Sequence, residues 1–291
     1  MMYSFVESPY LVGFDSSWRL SEAKTKSARD SDKKTEKKRL KSIQKNIVEF
    51  QKRLYAEQRQ SLLIIFQAMD AAGKDGTIRA VFSGINPQGC HVTSFKRPTA
   101  EELAHDYLWR VHNACPRKGH IEIFNRSHYE EVLITAIFPQ ILQHQQLPTR
   151  TLSEEFALRY RTIRNFEKHL ADTGTRILKF WLNIGKAEQR RRLLRRMEDP
   201  ERHWKHESGD LDMRDRWVDF MTAYETALTE TSRSWAPWYA IPADDKPQMR
   251  SMVADIVCRT LMQMDPQYPT VSQEQRSVIA SDRLRLIAKD E

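Results

Sequence analysis

A long apolar run, a loop of small residues and a helix-like segment follow one another between Leu62 and Phe82, in the stretch LLIIFQAMDAAGKDGTIRAVF. An uninterrupted apolar run predicts a strand that is buried on both faces, as in the middle of a parallel sheet. In open α/β sheets, ligands bind beyond the carboxyl ends of the strands. The stretch therefore predicts an α/β fold with a ligand site in the loop after the first strand.

Strand and helix patterns continue to alternate along the chain. Strands are predicted at Leu62–Phe66, His91–Phe95, Ile121–Asn125, Ile177–Ile184 and Trp238–Ile241. Helices are predicted at Asp32–Gln58, Gly76–Phe82, Thr99–Val111, Glu130–Gln143, Ser153–Leu170, Lys186–Arg196, Met213–Ser232 and Met249–Met264. This alternation predicts a three-layer α/β/α architecture, with a parallel five-stranded sheet between helices. We expect one domain at 31–265, an N-terminal arm at 1–30 and a polar C-terminal tail at 266–291.

The composition favours an intracellular protein that binds polyanions. The 291 residues are 40% hydrophobic, which is enough for a folded core, and the formal net charge of +8 favours phosphate-rich partners. The three cysteines lie far apart without metal-binding spacing, so neither a disulfide framework nor a zinc site is expected. Neither a secretory signal nor an apolar run of membrane-spanning length is visible. We therefore expect a cytoplasmic protein without a membrane partner.

The loop after the first strand resembles the Walker A pattern G-x-x-x-x-G-K-[ST]. Small residues let the backbone approach a ligand, and successive N–H groups before a helix form a site for phosphate. The predicted phosphate-binding residues of this loop are Ala72, Gly73, Lys74, Asp75, Gly76 and Thr77. The pattern is imperfect, because Ala68 replaces its first glycine and Asp75 replaces its Ser or Thr. A solvated turn with an exposed lysine is the alternative interpretation.

The same loop contains a carboxylate, that of Asp70. A carboxylate repels phosphate unless a cation lies between them. A magnesium ion that joins Asp70 to phosphate oxygens would explain its position, as would proton transfer from the attacking group to Asp70. The alternative is a cap on the following backbone. We predict that Asp70 is catalytic.

A second group of candidate residues ends the third predicted strand, in the stretch HIEIFNRSHYEEV. Asn125 is a neutral magnesium ligand, and Glu130 supplies a charge one helical turn further on. The forked guanidinium of Arg126 suits two phosphate oxygens. Ser127 and Glu130 also match a capping box, a structural role that competes with metal binding. We predict that Lys74, Asn125, Arg126 and Glu130 act with Asp70 in catalysis, and that Asp70 and Glu130 hold the metal.

Two basic stretches complete the candidate site. Lys96 and Arg97 follow the second predicted strand, and we predict that they bind the nucleotide; an exposed basic turn is the alternative. The arginine-rich segment at about 186–217 is typical of a mobile lid that neutralises a transferred phosphoryl group. Within it, Arg191, Arg192 and Lys205 are predicted to bind phosphate, although such charge runs commonly form solvated helix faces.

These stretches together resemble the second family of polyphosphate kinases over about residues 30–269, on the motifs MDAAGKDGTIRAVF, FNRSHYEEV, KAEQRRRLLRRMEDPERHWK and WAPWYAIPADDK. The resemblance implies a thymidylate-kinase-like P-loop fold and assembly into a homodimer or homotetramer. It also implies magnesium-dependent transfer of the terminal phosphoryl group of inorganic polyphosphate to a nucleotide. An aspartate in the loop, as at Asp70, is usual in that family.

The resemblance also points to the acceptor nucleotides. In one branch of the family, asparagine replaces the strand-end acid and a glutamate follows five residues later, as Asn125 and Glu130 do here. That branch accepts nucleoside mono- and diphosphates. AMP and ADP are therefore the expected acceptors, with ADP and ATP as products.

Two other functions fit parts of the sequence. An ATP-dependent nucleotide kinase would share the fold and the lid but would use a different phosphoryl donor. A basic nucleic-acid-binding protein would use the lysine-rich helix before Leu62. That helix lacks aromatic residues placed for base stacking, and no known binding module is visible, so no nucleic-acid partner is expected.

Overall fold

The computed structural model describes residues 4–28 and 31–288. Five strands form one parallel sheet in the order β2-β3-β1-β4-β5. They are β1 (Ser61–Gln67), β2 (Cys90–Ser94), β3 (Ile121–Asn125), β4 (Thr175–Asn183) and β5 (Trp238–Pro242). The predicted five-stranded parallel sheet is confirmed, and each strand lies where the sequence placed it.

Helices lie on both faces of this sheet. They are α1 (Lys33–Glu57), α2 (Lys74–Val81), α3 (Ala100–Leu103), α4 (Trp109–Asn113), α5 (Glu130–Ile137), α6 (Leu152–Asp172), α7 (Lys186–Glu198), α8 (Gly209–Asp215), α9 (Trp217–Thr231), α10 (Lys246–Met264) and α11 (Gln273–Ile287). Helix α10 packs against α1 and α2, whereas α6 packs against β4, α5 and α9. Every residue of β1 is buried, as the apolar run predicted. The three-layer α/β/α architecture is confirmed.

The central position of β1 places its carboxyl end beside that of β3. In the parallel register, Phe66 of β1 is opposite Asn125 of β3. The backbone N–H of Arg126 then donates to the carbonyl oxygen of Phe66, at 3.0 Å. The loop after β1 and the segment after β3 are therefore neighbours, as expected for parallel strands that end at one edge of a sheet.

Three predicted helices have different limits in the structure. The segment predicted at Thr99–Val111 forms two short helices, α3 and α4, separated by a turn. The helix predicted from Glu130 to Gln143 ends at Ile137, and a 3₁₀ turn from Pro139 to Gln145 follows. Proline lacks the N–H that would continue the helical hydrogen bonding. The helix predicted at Met213–Ser232 is interrupted at Arg216, between α8 and α9.

The two ends of the described chain differ in how they pack. In the N-terminal segment, Val6, Val12 and Trp18 are buried in the core, and Leu11 forms an antiparallel bridge with Tyr239 of β5. In contrast, α11 is a regular helix without a buried residue. Among the described residues, none of the helices is both long and apolar enough to cross a membrane.

Candidate active site

The loop between β1 and α2 has an unusual backbone. Ala71 and Gly73 have φ angles of +62° and +109°, and a positive φ is costly for a residue with a Cβ such as Ala71. Lys74 is the first residue of α2, and its Nζ donates to the carbonyl oxygen of Ala68 at 2.8 Å. The lysine side chain therefore folds back over the loop. Strain of this kind persists where the surrounding structure enforces it, commonly at ligand sites.

Lys74 is buried, which contradicts the alternative of an exposed lysine on a solvated turn. Burial lowers the pKa of its ammonium group, and repulsion by Arg126 lowers it further. The carboxylates of Asp70, Glu130 and Asp75 act in the opposite direction. A buried ammonium group whose pKa is shifted by burial and by neighbouring charges is typical of functional sites.

Arg126 links the two groups of candidate residues. Its guanidinium lies 2.7 Å from a carboxylate oxygen of Asp70 and 3.5 Å from one of Glu130. The negative charge of Glu130 raises the pKa of Arg126, so this guanidinium is permanently charged. Its backbone φ is +64°, the second strained non-glycine position beside the site. Asp70 and Glu130, predicted to bind metal, therefore lie against Arg126, predicted to bind phosphate.

Glu130 faces this site and does not form the capping box that the sequence allowed. Helix α5 begins at Glu130, and its N-cap residue Tyr129 makes no side-chain cap hydrogen bond. The hydroxyl oxygen of Ser127 instead accepts a hydrogen bond from the backbone N–H of Tyr129, at 3.2 Å. The carboxylate of Glu130 is thus free of the backbone and directed at Arg126, which is compatible with a role as a metal ligand.

Asn125 contacts the loop through Asp75. Its amide donates to one carboxylate oxygen of Asp75 at 2.9 Å, and Lys205 of the predicted lid lies 3.2 Å from the other. Burial opposes ionisation of Asp75, but the hydrogen bonds from Asn125 and Lys205 outweigh it and lower the pKa of this carboxyl. The lid segment therefore reaches the phosphate loop. Asp75, which stands where Walker A has Ser or Thr, joins the loop to both β3 and the lid.

The two lid arginines that were predicted to bind phosphate, Arg191 and Arg192, occupy different environments. Arg192 is buried and donates to the carbonyl oxygens of Ala72 and Ala243 at 2.6 Å each, and to Asp244 at 2.9 Å. Its donors hold the backbone of the loop, and a contact between Arg192 and phosphate stays a prediction. Arg191 is 64% exposed and pairs with Glu188, and its contact with phosphate stays a prediction.

The predicted nucleotide-binding residues follow strand β2, next to the end of β3. Lys96 and Arg97 are exposed after β2, an edge strand that β3 separates from β1. The carbonyl oxygen of Lys96 accepts a hydrogen bond from Arg110, at 2.9 Å. The backbone N–H of the preceding residue, Phe95, donates to the carbonyl oxygen of Asn125 at 3.1 Å, so the turn begins beside the end of β3, and nucleotide binding by Lys96 and Arg97 stays a prediction.

Three residues that the sequence analysis missed lie beside the site. Gln189 is fully buried in α7 and donates to the carbonyl oxygen of Asp70 at 3.1 Å. Asp210 of α8 pairs with Arg196 at 2.6 Å, and burial and the charge of Asp70 raise the pKa of its carboxyl. Tyr224 of α9 lines a small pocket with Asp70. The sequence did indicate the position of Gln189, because this residue precedes Arg192 by three positions and so lies on the same face of the helix.

The central strand, its phosphate loop and the lid define a P-loop kinase. A family model described as polyphosphate kinase 2 (PPK2) matches residues 30–269. The chain belongs to this family, as the sequence resemblance predicted. It is thus a phosphotransferase enzyme, of a family that generally needs a divalent metal ion.

Individual relatives agree with this assignment. An ADP-polyphosphate phosphotransferase of Rhodopseudomonas palustris is 49% identical over 244 residues, which cover 82% of this chain and 83% of that protein. An AMP/ADP-polyphosphate phosphotransferase of Meiothermus ruber is 49% identical over 227 residues, covering 78% of this chain and 81% of that protein. The crystal structure of polyphosphate kinase 2 from Arthrobacter aurescens superimposes with a TM-score of 0.85 at 35% identity, covering 96% of this chain and 99% of that one.

Proposed function

We propose that this enzyme transfers the terminal phosphoryl group of inorganic polyphosphate to AMP and ADP. The observation that carries the proposal is the convergence of Lys74, Arg126, Asp70 and Glu130 at the carboxyl ends of β1 and β3. The relative from Rhodopseudomonas palustris is named for ADP and polyphosphate, and that from Meiothermus ruber for AMP, ADP and polyphosphate, which supports the proposal. Asn125 followed by Glu130 supports an acceptor range that includes both mono- and diphosphates.

The cationic residues would act on the transferred group. Phosphoryl transfer needs alignment of donor and acceptor and neutralisation of charge on the phosphoryl oxygens. Lys74 is held by the loop and Arg126 by a strained backbone, so both present their charges without a large rearrangement. The acceptor oxygen of AMP or ADP is already anionic, so little proton transfer is required.

The carboxylates fit a magnesium ion. Asp70 and Glu130 supply oxygen ligands, which hard divalent cations prefer, and both lie next to the proposed phosphate site. Among the described residues, no group of three or more His, Cys, Asp or Glu is arranged as a metal cage. Magnesium commonly keeps its waters and binds one or two carboxylates together with substrate phosphates. When bound, the ion would neutralise charge shared by donor and acceptor.

We also propose that the enzyme works in the cytoplasm, as a homodimer or homotetramer. Cys90, Cys115 and Cys258 are free thiols, which suits the reducing cytoplasm. The family resemblance supports assembly into a homodimer or homotetramer.

The test is to incubate the protein with magnesium and long-chain polyphosphate, with either AMP or ADP, and to measure the nucleotide products. We expect ADP from the first reaction and ATP from the second. A parallel reaction with ATP and AMP, without polyphosphate, tests the alternative of an ATP-dependent kinase. Turnover with ATP as donor and none with polyphosphate would refute the proposal.

A further inference from the structure

The two neighbours of Glu130 in the chain are both held by buried charged residues of α6. On one side, the hydroxyl of Tyr129 donates to a carboxylate oxygen of Glu167 at 2.8 Å and accepts a hydrogen bond from Lys179 at 2.8 Å. Lys179 also lies 2.6 Å from the other carboxylate oxygen of Glu167. All three side chains are buried. The start of α5 is therefore tied to a buried ion pair that joins α6 to β4.

On the other side of Glu130, the residue Glu131 is held by Arg159 of α6. The guanidinium of Arg159 lies 2.8 Å from the carboxylate of Glu131 and donates to the backbone carbonyl oxygen of the same residue at 3.1 Å. Both residues are buried. A further ion pair, at 2.7 Å, joins Arg159 to Glu155 one turn earlier in α6. One arginine thus fixes both the side chain and the backbone of Glu131.

These contacts place Glu130 between two anchored residues. Successive residues of a helix point about 100° apart, so anchoring the residues before and after Glu130 fixes the rotation of the first turn of α5. Glu130 itself faces Arg126 at 3.5 Å and lines the small pocket that contains Asp70. Buried ion pairs add little stability over apolar packing, and their best-attested use is to fix one arrangement of the chain.

We propose that Glu167 and Arg159 are positioning residues for Glu130. By holding Tyr129 and Glu131, they direct the carboxylate between them at the magnesium ion. The proposal rests on the proposed function, because that function assigns Glu130 to the ion. A metal site is tight only when the groups around its ligands keep those ligands in one orientation. Loosening the first turn of α5 should therefore weaken the metal site while the fold persists.

The first test compares Tyr129→Phe with Tyr239→Phe as a matched control. Each variant removes one buried hydroxyl that donates a hydrogen bond, to Glu167 in the first case and to the carbonyl oxygen of Val6 in the second, so both should lower the melting temperature. Only Tyr129→Phe should raise the magnesium concentration for half-maximal ATP formation, by about fivefold, somewhat less than the loss of a group that contacts a metal ligand directly. A rise of equal size in both variants, or in neither, would overturn the proposal.

The second test replaces Arg159 by Lys, which keeps the charge but lacks the forked guanidinium. Arg164→Lys is the matched control, because Arg164 of α6 contacts the carboxylate and the backbone carbonyl oxygen of Glu230 in the same way. Arg159→Lys should raise the half-maximal magnesium concentration about fivefold and change the KM for polyphosphate much less. Arg164→Lys should keep the wild-type magnesium requirement. Equal magnesium requirements in the two variants would contradict the role of Arg159.

The third test measures metal binding without turnover, by titration with Mn²⁺ alone and the EPR signal of the free ion. Tyr129→Phe should weaken Mn²⁺ binding about fivefold in the wild-type background. Combined with Glu130→Gln it should have no further effect, because it acts through the carboxylate that this second change neutralises. Weakening of the same size in both backgrounds would show that the effect bypasses Glu130, and would refute the proposal.

The three tests also separate this inference from the proposed function. If Tyr129→Phe weakens Mn²⁺ binding only where Glu130 is present, but the wild type forms no ATP from polyphosphate, the positioning role stands and the proposed reaction is wrong. If the wild type forms ATP, and Tyr129→Phe and Arg159→Lys keep its magnesium requirement and its Mn²⁺ affinity, the reaction stands and the inference fails.

Discussion

The guanidinium of Arg126 lies 2.7 Å from the carboxylate of Asp70, a residue 56 positions earlier in the chain. The pair joins the loop after β1 to the segment after β3, and both residues are accessible enough to meet a ligand. We expect substrate binding to exchange partners, with Arg126 turning to phosphate and Asp70 to the magnesium ion. The ion pair would thus keep both groups in place and charged before the substrate arrives.

Replacement of Asp70 by Asn should abolish transfer. The amide keeps the size of the side chain but removes the charge that we assign to the magnesium ion, so we expect kcat to fall at least about 100-fold. Initial rates of ATP formation from polyphosphate and ADP measure this effect. Asp282→Asn, on the exposed helix α11, is the matched control and should retain wild-type rates. Near wild-type turnover of Asp70→Asn would end the assignment of Asp70 as a metal ligand.

Replacement of Lys74 by Met should separate activity from stability. Burial lowers the pKa of Lys74, which means that the folded state disfavours its charge. Met removes that charge and retains most of the buried apolar stem, so the melting temperature should stay equal or increase. Turnover should fall at least about 100-fold, because the phosphoryl group loses its buried cation. A variant that lost activity only by unfolding would contradict this interpretation.

Gln189 should act as a positioning residue for Asp70. Its amide donates to the carbonyl oxygen of Asp70, and its own carbonyl accepts from Arg214 at 2.7 Å. Gln189→Leu leaves the carbonyl oxygen of Asp70 without this donor, which should cost about 1–3 kcal/mol of the free energy of unfolding, whereas Arg214 keeps its bond to the carbonyl oxygen of Lys186. We also expect the magnesium concentration for half-maximal activity to rise, which a purely structural role would not require. Urea unfolding and magnesium titrations measure the two effects, and an unchanged magnesium requirement would restrict Gln189 to stability.

The strands and the loop after β1 were predictable from the sequence. So were four central residues of the site, which are Asp70, Lys74, Arg126 and Glu130. Lys74 and Arg126 follow separate strands, and parallel strands bring their carboxyl ends to one edge, so their convergence follows from the sheet. The direction of Arg192 was not predictable, because charged residues on α7 look alike until packing fixes which face of the helix is buried. The role of Gln189 was not predictable for the same reason, because it depends on which face of α7 is buried. Pro139 did carry the signal for the early end of α5.

Stability should also depend on pH through Lys246, the first residue of α10. Burial and the charges of Arg192, Arg250 and Arg202 lower the pKa of Lys246 to about 8 in the folded state, so the unfolded chain binds more protons between this value and the ordinary one. The contribution of Lys246 should therefore stabilise the fold increasingly as the pH rises from about 8 towards its ordinary pKa of about 10.4. Urea unfolding of the wild type and of Lys246→Arg over this range measures the difference.

A buried ion pair should support the segment that carries Arg126 and Glu130. Lys179 of β4 lies 2.6 Å from Glu167 of α6 and donates to the hydroxyl of Tyr129 at 2.8 Å, just before α5. Lys179→Met removes the ammonium partner of the buried carboxylate of Glu167, which keeps only its contacts with Tyr129 and His128, and this should cost about 3–5 kcal/mol in urea unfolding. The double variant with Glu167→Gln should recover part of this loss. A double variant less stable than the single one would contradict the pairing.

The most direct test of the whole account follows the fate of the terminal phosphate itself. Polyphosphate labelled at its end is incubated with magnesium and ADP, using the wild type and Asp70→Asn side by side. The account predicts that the label appears in the γ-phosphate of ATP with the wild type and stays in polyphosphate with the variant. Label that never enters ATP with the wild type, or enters it equally fast with both proteins, would contradict it.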